Sequence, residues 1–165
     1  MKSIKTYILT TVFLLISTSA LAQINGNGKI EQRVFEFEGV EILDFRVTVE
    51  GVVDASYDNE LYVEVDENIF EHLTIKMAGN RLIINQKGWV EPTKAITIKL
   101  GTKSLQRIKN SAWGNLLIKN MDQKYFRADM NVGTLTLEGK VDRLDVKTGA
   151  GRNDAQNLEA RQVSA

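Results

Sequence analysis

The sequence predicts an all-β fold, a right-handed parallel β-helix or β-solenoid in a single domain, with hairpin character in its N-terminal half. Three observations support this prediction. A glycine recurs at Gly114, Gly133 and Gly151, at spacings of 19 and 18 residues. Apolar and polar residues alternate on both sides of these glycines, as strands with one buried face require. A fixed period of this size is typical of stacked units, each of which buries its inner face against the next.

The repeat keeps its apolar face when one unit is laid on the next. A shift of 18 positions places Phe126 on Leu144 and Ala128 on Val146. The first half of the earliest unit fits only with a slip of one residue. Antiparallel hairpins in a sandwich would also give regular short strands. The constant spacing favours the solenoid, because hairpins have no reason to keep equivalent strands 18 or 19 residues apart.

The same shift makes a prediction about the outward-facing charges. It brings Arg127 beside Asp145 and Asp129 beside Lys147. Opposite charges on neighbouring strands stabilise a sheet by roughly 0.2 to 1 kcal/mol per pair. We therefore expect these residues to form ion pairs between successive coils.

The first 22 residues are predicted to be a cleaved signal peptide. Lys2 and Lys5 give a positive start, Ile8–Ile16 is an apolar core, and Ala20-Leu21-Ala22 is a small-x-small cleavage site. The apolar run is shorter than the roughly 18 residues that a membrane span needs. The mature chain is expected to begin at Gln23, with no transmembrane segment, and the protein to be exported to the periplasm, the cell surface or the medium.

The N-terminal half of the mature chain is a series of short alternating strands. Gly79-Asn80 between two of them is typical of a tight hairpin. A turn is expected at Glu50-Gly51, and Asp66-Glu67-Asn68 is predicted to cap one helical turn that ends at His72. The strands are predicted at residues 34–37, 42–49, 53–57, 61–65, 73–77, 82–84 and 95–100.

Composition limits the chemistry that is available. The mature chain, residues 23–165, suits one domain, and 19 basic against 21 acidic side chains exclude the basic surface of a nucleic-acid binder. No cysteine is present, so disulfides and thiol catalysis are excluded. His72 is the single histidine, which excludes a multi-histidine zinc site. No cofactor and no metal site are predicted.

No catalytic residue is predicted. His72 could combine with Ser104 or Ser111 in a catalytic triad only if the fold brought them together, and an ordinary partly exposed histidine is the alternative. A glycosidase-like pair of carboxylates is the other enzymatic hypothesis, and outward-pointing charges on strands are its alternative. The acidic candidates are Asp54, Asp58, Asp66, Glu67, Asp129, Asp142 and Asp145.

Two tryptophans are the candidate surface-binding residues. Trp89 lies in the longest loop, and Trp113 lies directly before Gly114. An exposed indole can stack on a sugar ring or anchor a protein partner. The alternative is that each ring packs over the flank of the solenoid.

Several short motifs resemble the putative auto-transporter adhesin, head GIN domain family of bacterial envelope proteins. They are Gly26-Asn27-Gly28 followed by Arg33, Val49–Val53, Val63–Asn68 and the later glycine repeats. The resemblance spans essentially the whole mature chain and implies an exported β-helical head of a kind common in Bacteroidota, with no catalytic residues. The family pattern continues for another coil or two, which implies either a fragment or an unprotected last coil.

Three classes of function follow. The leading one is a non-enzymatic exported protein with an adhesin-like binding role, whose partner is an envelope glycan or another protein. The second is a carbohydrate-active enzyme on a β-helix, which needs acidic side chains that converge. The third is a structural module that self-associates through its C-terminal coil, since an unpaired sheet edge can accept another chain.

Overall fold

The computed structural model describes residues 23–58 and 60–164. Strands make up 72% of these residues, in a curled sheet that forms an open half-barrel. One 3₁₀ helix, Glu67–His72, is the only helix among them, and no described helix has the length and hydrophobicity of a membrane span. The predicted all-β class is confirmed. The predicted signal peptide, residues 1–22, lies outside the described residues.

Eight strands form one sheet, and two form a small separate pair. The order in the large sheet is β2-β5-β9-β4-β10-β3-β7-β6, and β1 pairs with β8. We call β3, β7 and β6 the first half of the sheet and β4, β9, β5 and β2 the second half. The strands are β1 (Ile24–Asn25), β2 (Ile30–Phe35), β3 (Ile42–Phe45), β4 (Val49–Asp54), β5 (Leu61–Asp66), β6 (Leu73–Ala78), β7 (Arg81–Gln86), β8 (Val90–Glu91), β9 (Ile96–Gly101) and β10 (Arg107–Ser164).

Strand β10 joins the two halves because successive parts of it pair with different strands. Arg107 pairs with Ile42 of β3, and Gly114 pairs with Val49 of β4, both in parallel. Each pair is separated by 65 positions, so the whole segment 107–119 repeats the path of β3 and β4. The corner between β3 and β4 therefore lies next to the corner between the two paired parts of β10.

Later parts of β10 lie against earlier ones at the glycines. A Cβ placed on Gly133 would overlap the backbone of Gly114, and one placed on Gly151 would lie 2.8 Å from the carbonyl oxygen of Gly133. The amide of Arg127 donates to the carbonyl oxygen of Gln106 at 2.9 Å. In a parallel pair this bond sets the two strands 20 positions apart, which is the predicted slip of one residue.

The inner side of the curled sheet holds one hydrophobic core. Phe45 and Leu82 from the first half, Leu61 from the second half and Phe126 from β10 are fully buried in it. Such side chains contribute roughly 1.5 to 3 kcal/mol each on burial. The 3₁₀ helix also buries Ile69 and Phe70, and the Arg33 guanidinium lies 4.2 Å above the Phe70 ring, so this end of the core is covered.

The predicted strand 42–49 and the turn after it are wrong. The strand ends at Phe45, the chain turns a corner at residues 46–48, and β4 runs through Gly51 to Asp54. The error arises because Phe45, Val47 and Val49 are all buried, so the alternation continues across the corner. Gly51 is needed for close packing, since the Ile98 side chain occupies the space of its Cβ.

The predicted neighbours of the outward-facing charges are found only in part. The direct ion pair of Arg127 is with Asp129, two positions along the same strand, at 3.0 Å. Arg127 still lies near Asp145, since the Tyr125 hydrogen bond and the charges of Arg143 and Arg127 together lower the pKa of that carboxyl. Asp129 also accepts a hydrogen bond from Arg107 of the preceding coil at 2.5 Å, instead of pairing with Lys147. Residues two apart on a strand share one face, so the near neighbour competes with the residue on the next coil.

The hairpin and the helical turn are confirmed. Ala78 pairs with Arg81 in an antiparallel ladder across Gly79-Asn80. The helical turn spans Glu67–His72, but the Asp66 side chain makes no capping hydrogen bond to it. That carboxylate instead accepts hydrogen bonds from Gly28 and Thr93.

Candidate functional site

A surface cavity of about 520 Å³ lies on the outer side of the second half of the sheet. Strands β2, β5 and β9 form its floor, and the loop that follows β4 forms one wall. It brings together two tyrosines, two glutamates and a lysine, so it offers aromatic surface, acceptors and a donor. The lining residues are Gln32, Tyr57, Glu60, Tyr62, Glu64, Thr97, Lys99, Leu100 and Gly101.

Tyr57 is the most exposed aromatic residue of this cavity, with 45% of its surface accessible. Its ring lies on Gly101, whose Cβ would stand only 2.8 Å from the ring. Any larger residue at the end of β9 would push the ring away. The glycine thus allows the tyrosine to lie on the sheet with part of its surface open to solvent.

Two aspartates fix the loop that presents this tyrosine. Asp54 accepts hydrogen bonds from the Ser56 amide at 3.0 Å, from the Ser56 hydroxyl at 2.6 Å and from the Asn120 amide group at 2.9 Å. Asp58 accepts one from the Lys103 amide at 3.0 Å. The loop is therefore anchored on both sides of Tyr57. Because the ring is already ordered, less conformational entropy is lost when a ligand binds.

The Asp54 carboxylate is charged wherever the protein is folded at ordinary pH. Burial would raise the pKa of Asp54, but the hydrogen bonds from Ser56 and Asn120 and the Lys119 ammonium group at 3.2 Å outweigh it and hold that pKa well below its usual range. Asp54 is a structural anchor in this arrangement and is unsuited to act as a general acid.

The second tyrosine is tied to a carboxylate of the same cavity. The Tyr62 hydroxyl donates to Glu60 at 2.8 Å. This hydrogen bond and the negative charge of Glu60 raise the pKa of Tyr62, because they favour the protonated phenol. Lys99 is the direct cross-strand neighbour of Tyr62 on β9. A ring, an acceptor and a cation therefore stand side by side on the surface.

Two parallel rows of side chains extend this site across five strands. Cross-strand pairing gives a polar row and a mainly apolar row next to it. Four strand spacings make each row on the order of 19 Å long. Adjoining cavities of about 250 and 420 Å³ continue the surface. We call this surface the outer groove; its polar row is Gln32, Glu64, Thr97, Glu50 and Asn115, and its apolar row is Val34, Tyr62, Lys99, Val52 and Leu117.

The two predicted binding residues, Trp89 and Trp113, lie elsewhere. Both are at the surface, with 60% and 41% of their area accessible. Trp89 lies after β7 and Trp113 after residues 107–110, and both of these segments pair with β3. Neither ring lines the cavities described above. Their role in binding stays a prediction.

The residues considered for catalysis are dispersed. No hydrogen bond joins the described residues His72, Ser104 and Ser111. The acidic candidates have separate partners: Asp66 binds Thr93, Asp129 binds arginines, and Asp142 pairs with Arg161 at 3.4 Å. Asp54 and Asp58 are near each other in the chain, but they anchor the tyrosine loop.

Sequence reasoning missed the outer groove. Its signal was the outward half of each alternating strand, where Tyr62 and Glu64 and then Thr97 and Lys99 occupy non-core positions. These residues meet only because β5 pairs with β9, and the sequence offered no evidence for that pairing.

Comparison with known proteins agrees with the geometry. A putative adhesin from Bacteroides fragilis has the same fold, with a TM-score of 0.64 and 16% identity over 85% of this chain and 77% of that chain. A putative lipid binding protein from Parabacteroides distasonis has a TM-score of 0.58 and 20% identity over 86% and 80%. A putative adhesin from Parabacteroides merdae has a TM-score of 0.51 and 16% identity over 86% and 78%.

At these identities the likeness shows the fold alone. Among curated proteins, none is similar to this chain. The family model for the putative auto-transporter adhesin, head GIN domain matches residues 36–165. This match covers most of the sequence and agrees with the resemblance of its short motifs. The chain therefore belongs to the putative auto-transporter adhesin, head GIN domain family.

Proposed function

We propose that this chain is an exported, non-enzymatic binding protein of the bacterial cell envelope with an adhesin-like role, and that the outer groove holds its ligand. The observation that supports the groove is the fixed position of Tyr57, which lies on Gly101 in a loop anchored by Asp54 and Asp58. Binding surfaces depend on rigid aromatic anchors of this kind. The family and the structural relatives described as adhesins agree with such a role.

Export to the periplasm, the cell surface or the medium is part of the proposal. It is supported by the signal-peptide pattern of residues 1–22 and by the adhesin family. The absence of cysteine from the sequence means that the fold works without disulfides in an oxidising compartment.

The frame of the protein is proposed to be a right-handed parallel β-solenoid, to which the antiparallel pairs β2–β5, β5–β9 and β6–β7 are added. The parallel pairing of β3 and β4 with β10 at one common spacing supports this. So does the contact of Gly133 with Gly114 and of Gly151 with Gly133. Parallel crossovers are right-handed in nearly all sheets.

A binding role is favoured over hydrolysis. A glycosidase needs a general acid whose pKa is raised. Hydrogen bonds and ion pairs lower the pKa of four of the acidic candidates, Asp54, Asp66, Asp129 and Asp145, so these four do not suit that role.

A lipid ligand, as in the description of the Parabacteroides distasonis relative, fits this chain less well. Lipid tails need an enclosed apolar space. The inner side of the sheet is filled by core residues such as Phe45 and Phe126, and the outer groove contains Glu50 and Glu64.

Binding of the fluorescently labelled protein to isolated cell envelopes of the producing organism tests the proposal. The double variant Tyr57→Ala/Tyr62→Ala is expected to bind at least about tenfold more weakly, since aromatic anchors dominate such interfaces. Tyr125→Ala is the matched control, because Tyr125 is 37% exposed and bonds Asp145 away from the groove. Its binding is expected to stay within about twofold of wild type. Equal binding by the double variant and wild type would refute the assignment of the groove.

A further inference from the structure

We propose that the ligand of the outer groove is a neutral oligosaccharide chain that lies across the strands. This inference rests on the proposed function and adds the chemical class of the ligand. Three features of the groove support it: the two rows of side chains, the tyrosine rings and the charge.

The two rows match the two surfaces of a sugar ring. A pyranose has faces of C–H groups and a rim of hydroxyl groups. Tyr62, Val52 and Leu117 in one row offer apolar contact for a face, while Glu64 and Asn115 in the other offer hydrogen-bonding groups for the rim. Because the rows run perpendicular to the strands, successive sugars would meet the same kind of row at each strand.

The tyrosines provide the stacking surfaces. The ring of Tyr57 lies against Gly101 and Tyr57 is nearly half exposed, so it can receive a sugar face without rearrangement. The Tyr62 hydroxyl is already bonded to Glu60, which fixes that ring as well. A rigid aromatic surface with a polar edge suits a ligand with apolar faces and a rim of hydroxyl groups.

The charge of the groove selects against acidic chains. Glu50, Glu60 and Glu64 face Lys99, so carboxylates outnumber the cation. Lys119 at the edge of the groove is paired with a carboxylate at 3.2 Å. A uronate or phosphate polymer would be repelled, whereas carboxylates are good acceptors for the hydroxyl groups of neutral sugars.

Isothermal titration calorimetry tests this inference with defined probes. The probes are linear hexamers of glucose, of xylose and of N-acetylglucosamine, with a galacturonate hexamer as the acidic comparison. At least one neutral hexamer is expected to bind, more tightly than its own dimer and more tightly than the galacturonate hexamer. Tyr57→Ala is expected to weaken this binding by about tenfold, the scale of one lost stacking contact. Glu64→Gln, which keeps the shape of the side chain, is expected to weaken it less, and Tyr125→Ala is expected to leave it unchanged.

The failure of this inference can be distinguished from that of the proposed function. If no neutral hexamer binds, or if the galacturonate hexamer binds best, the carbohydrate assignment is wrong. If envelope binding still depends on Tyr57 and Tyr62 in that case, the groove binds a different ligand and the proposed function stands. As a control, the thermal unfolding temperature of each variant is measured and should lie near that of wild type. A loss of binding then reports on the groove and not on the fold.

Discussion

Among single residues, the contacts of Asp66 explain why glycines occupy positions 26 and 28. Its buried carboxylate accepts hydrogen bonds from the Gly28 amide at 2.7 Å, the Thr93 amide at 2.8 Å and the Thr93 hydroxyl at 2.7 Å. A Cβ on Gly26 would stand 2.5 Å from this carboxylate. The pair of glycines around Asn27 therefore lets the N-terminal segment close over a buried charge.

Replacing this carboxylate is expected to destabilise the fold in a pH-dependent way. Burial would raise the pKa of Asp66, but the hydrogen bonds from Thr93 and Gly28 prevail and lower it. Asp66→Ala should cost about 3 kcal/mol near pH 7, because three donors lose a buried, charged acceptor. Because the pKa of Asp66 is lower in the folded state than in the unfolded state, where it is about 3.9, the charged carboxylate stabilises the fold at pH values above this unfolded-state value. This stabilisation is lost as the pH falls through the folded-state pKa.

Urea denaturation of wild type and variant between pH 7 and pH 3 provides the measurement. The difference in unfolding free energy should stay constant down to about pH 4.5 and shrink below it. Glu67→Gln, at the exposed neighbouring position, is the control and should change stability by less than about 0.5 kcal/mol. A difference that grows as the pH falls would contradict this account.

At the scale of strands, local patterns predict the elements better than they predict the neighbours of those elements. The alternation at residues 61–65 and the hairpin signal at Gly79-Asn80 were sufficient to predict their elements. The corner at residues 46–48 was missed because core positions continue through it. The outer groove was missed because Tyr62 and Lys99, 37 positions apart, meet only through strand pairing.

The glycine period makes a direct prediction at this scale. Gly133 has a φ of 112°, and a Cβ at this position would overlap the carbonyl group of Gly114, earlier in β10. Gly133→Ala should therefore lose about 3 kcal/mol or more, since both the backbone conformation and the packing between coils are affected.

Gly39→Ala separates these two causes. Gly39 also has a positive φ, 64°, but no atom lies within 4 Å of the position of a Cβ. The cost at Gly39 should be only about 1 kcal/mol, the backbone contribution alone. Denaturant midpoints of both variants give the comparison, and equal losses would mean that the coils do not pack as closely as the glycine spacing requires.

At the scale of the whole molecule, the edge strand β2 and the 3₁₀ helix shield one end of the core. Glu31 and Arg33 of β2 stand on the inner side of the sheet, where a charge discourages the addition of another strand. Arg33 covers the ring of Phe70, and Ile69 is fully buried beside it. At the C-terminal end of β10, by contrast, the side chains of residues 152–164 are mostly exposed.

This asymmetry predicts a gradient of local stability along the sheet. In a stack of coils each unit is stabilised by its neighbours, so units with few buried contacts open first. Backbone amides of β3, β4 and residues 107–119, which pair on both sides, should exchange slowest with solvent deuterium. Amides of residues 152–164 should exchange at least about a hundredfold faster, since opening there exposes little apolar surface.

Hydrogen exchange followed by mass spectrometry at native pH measures the gradient. The β6–β7 hairpin, which is also at an edge but packs on the core, is the internal comparison. Uniform protection from β3 to residue 164 would mean that the coils unfold as one cooperative unit, and the stepwise stacking inferred from the glycine spacing would then have no energetic counterpart.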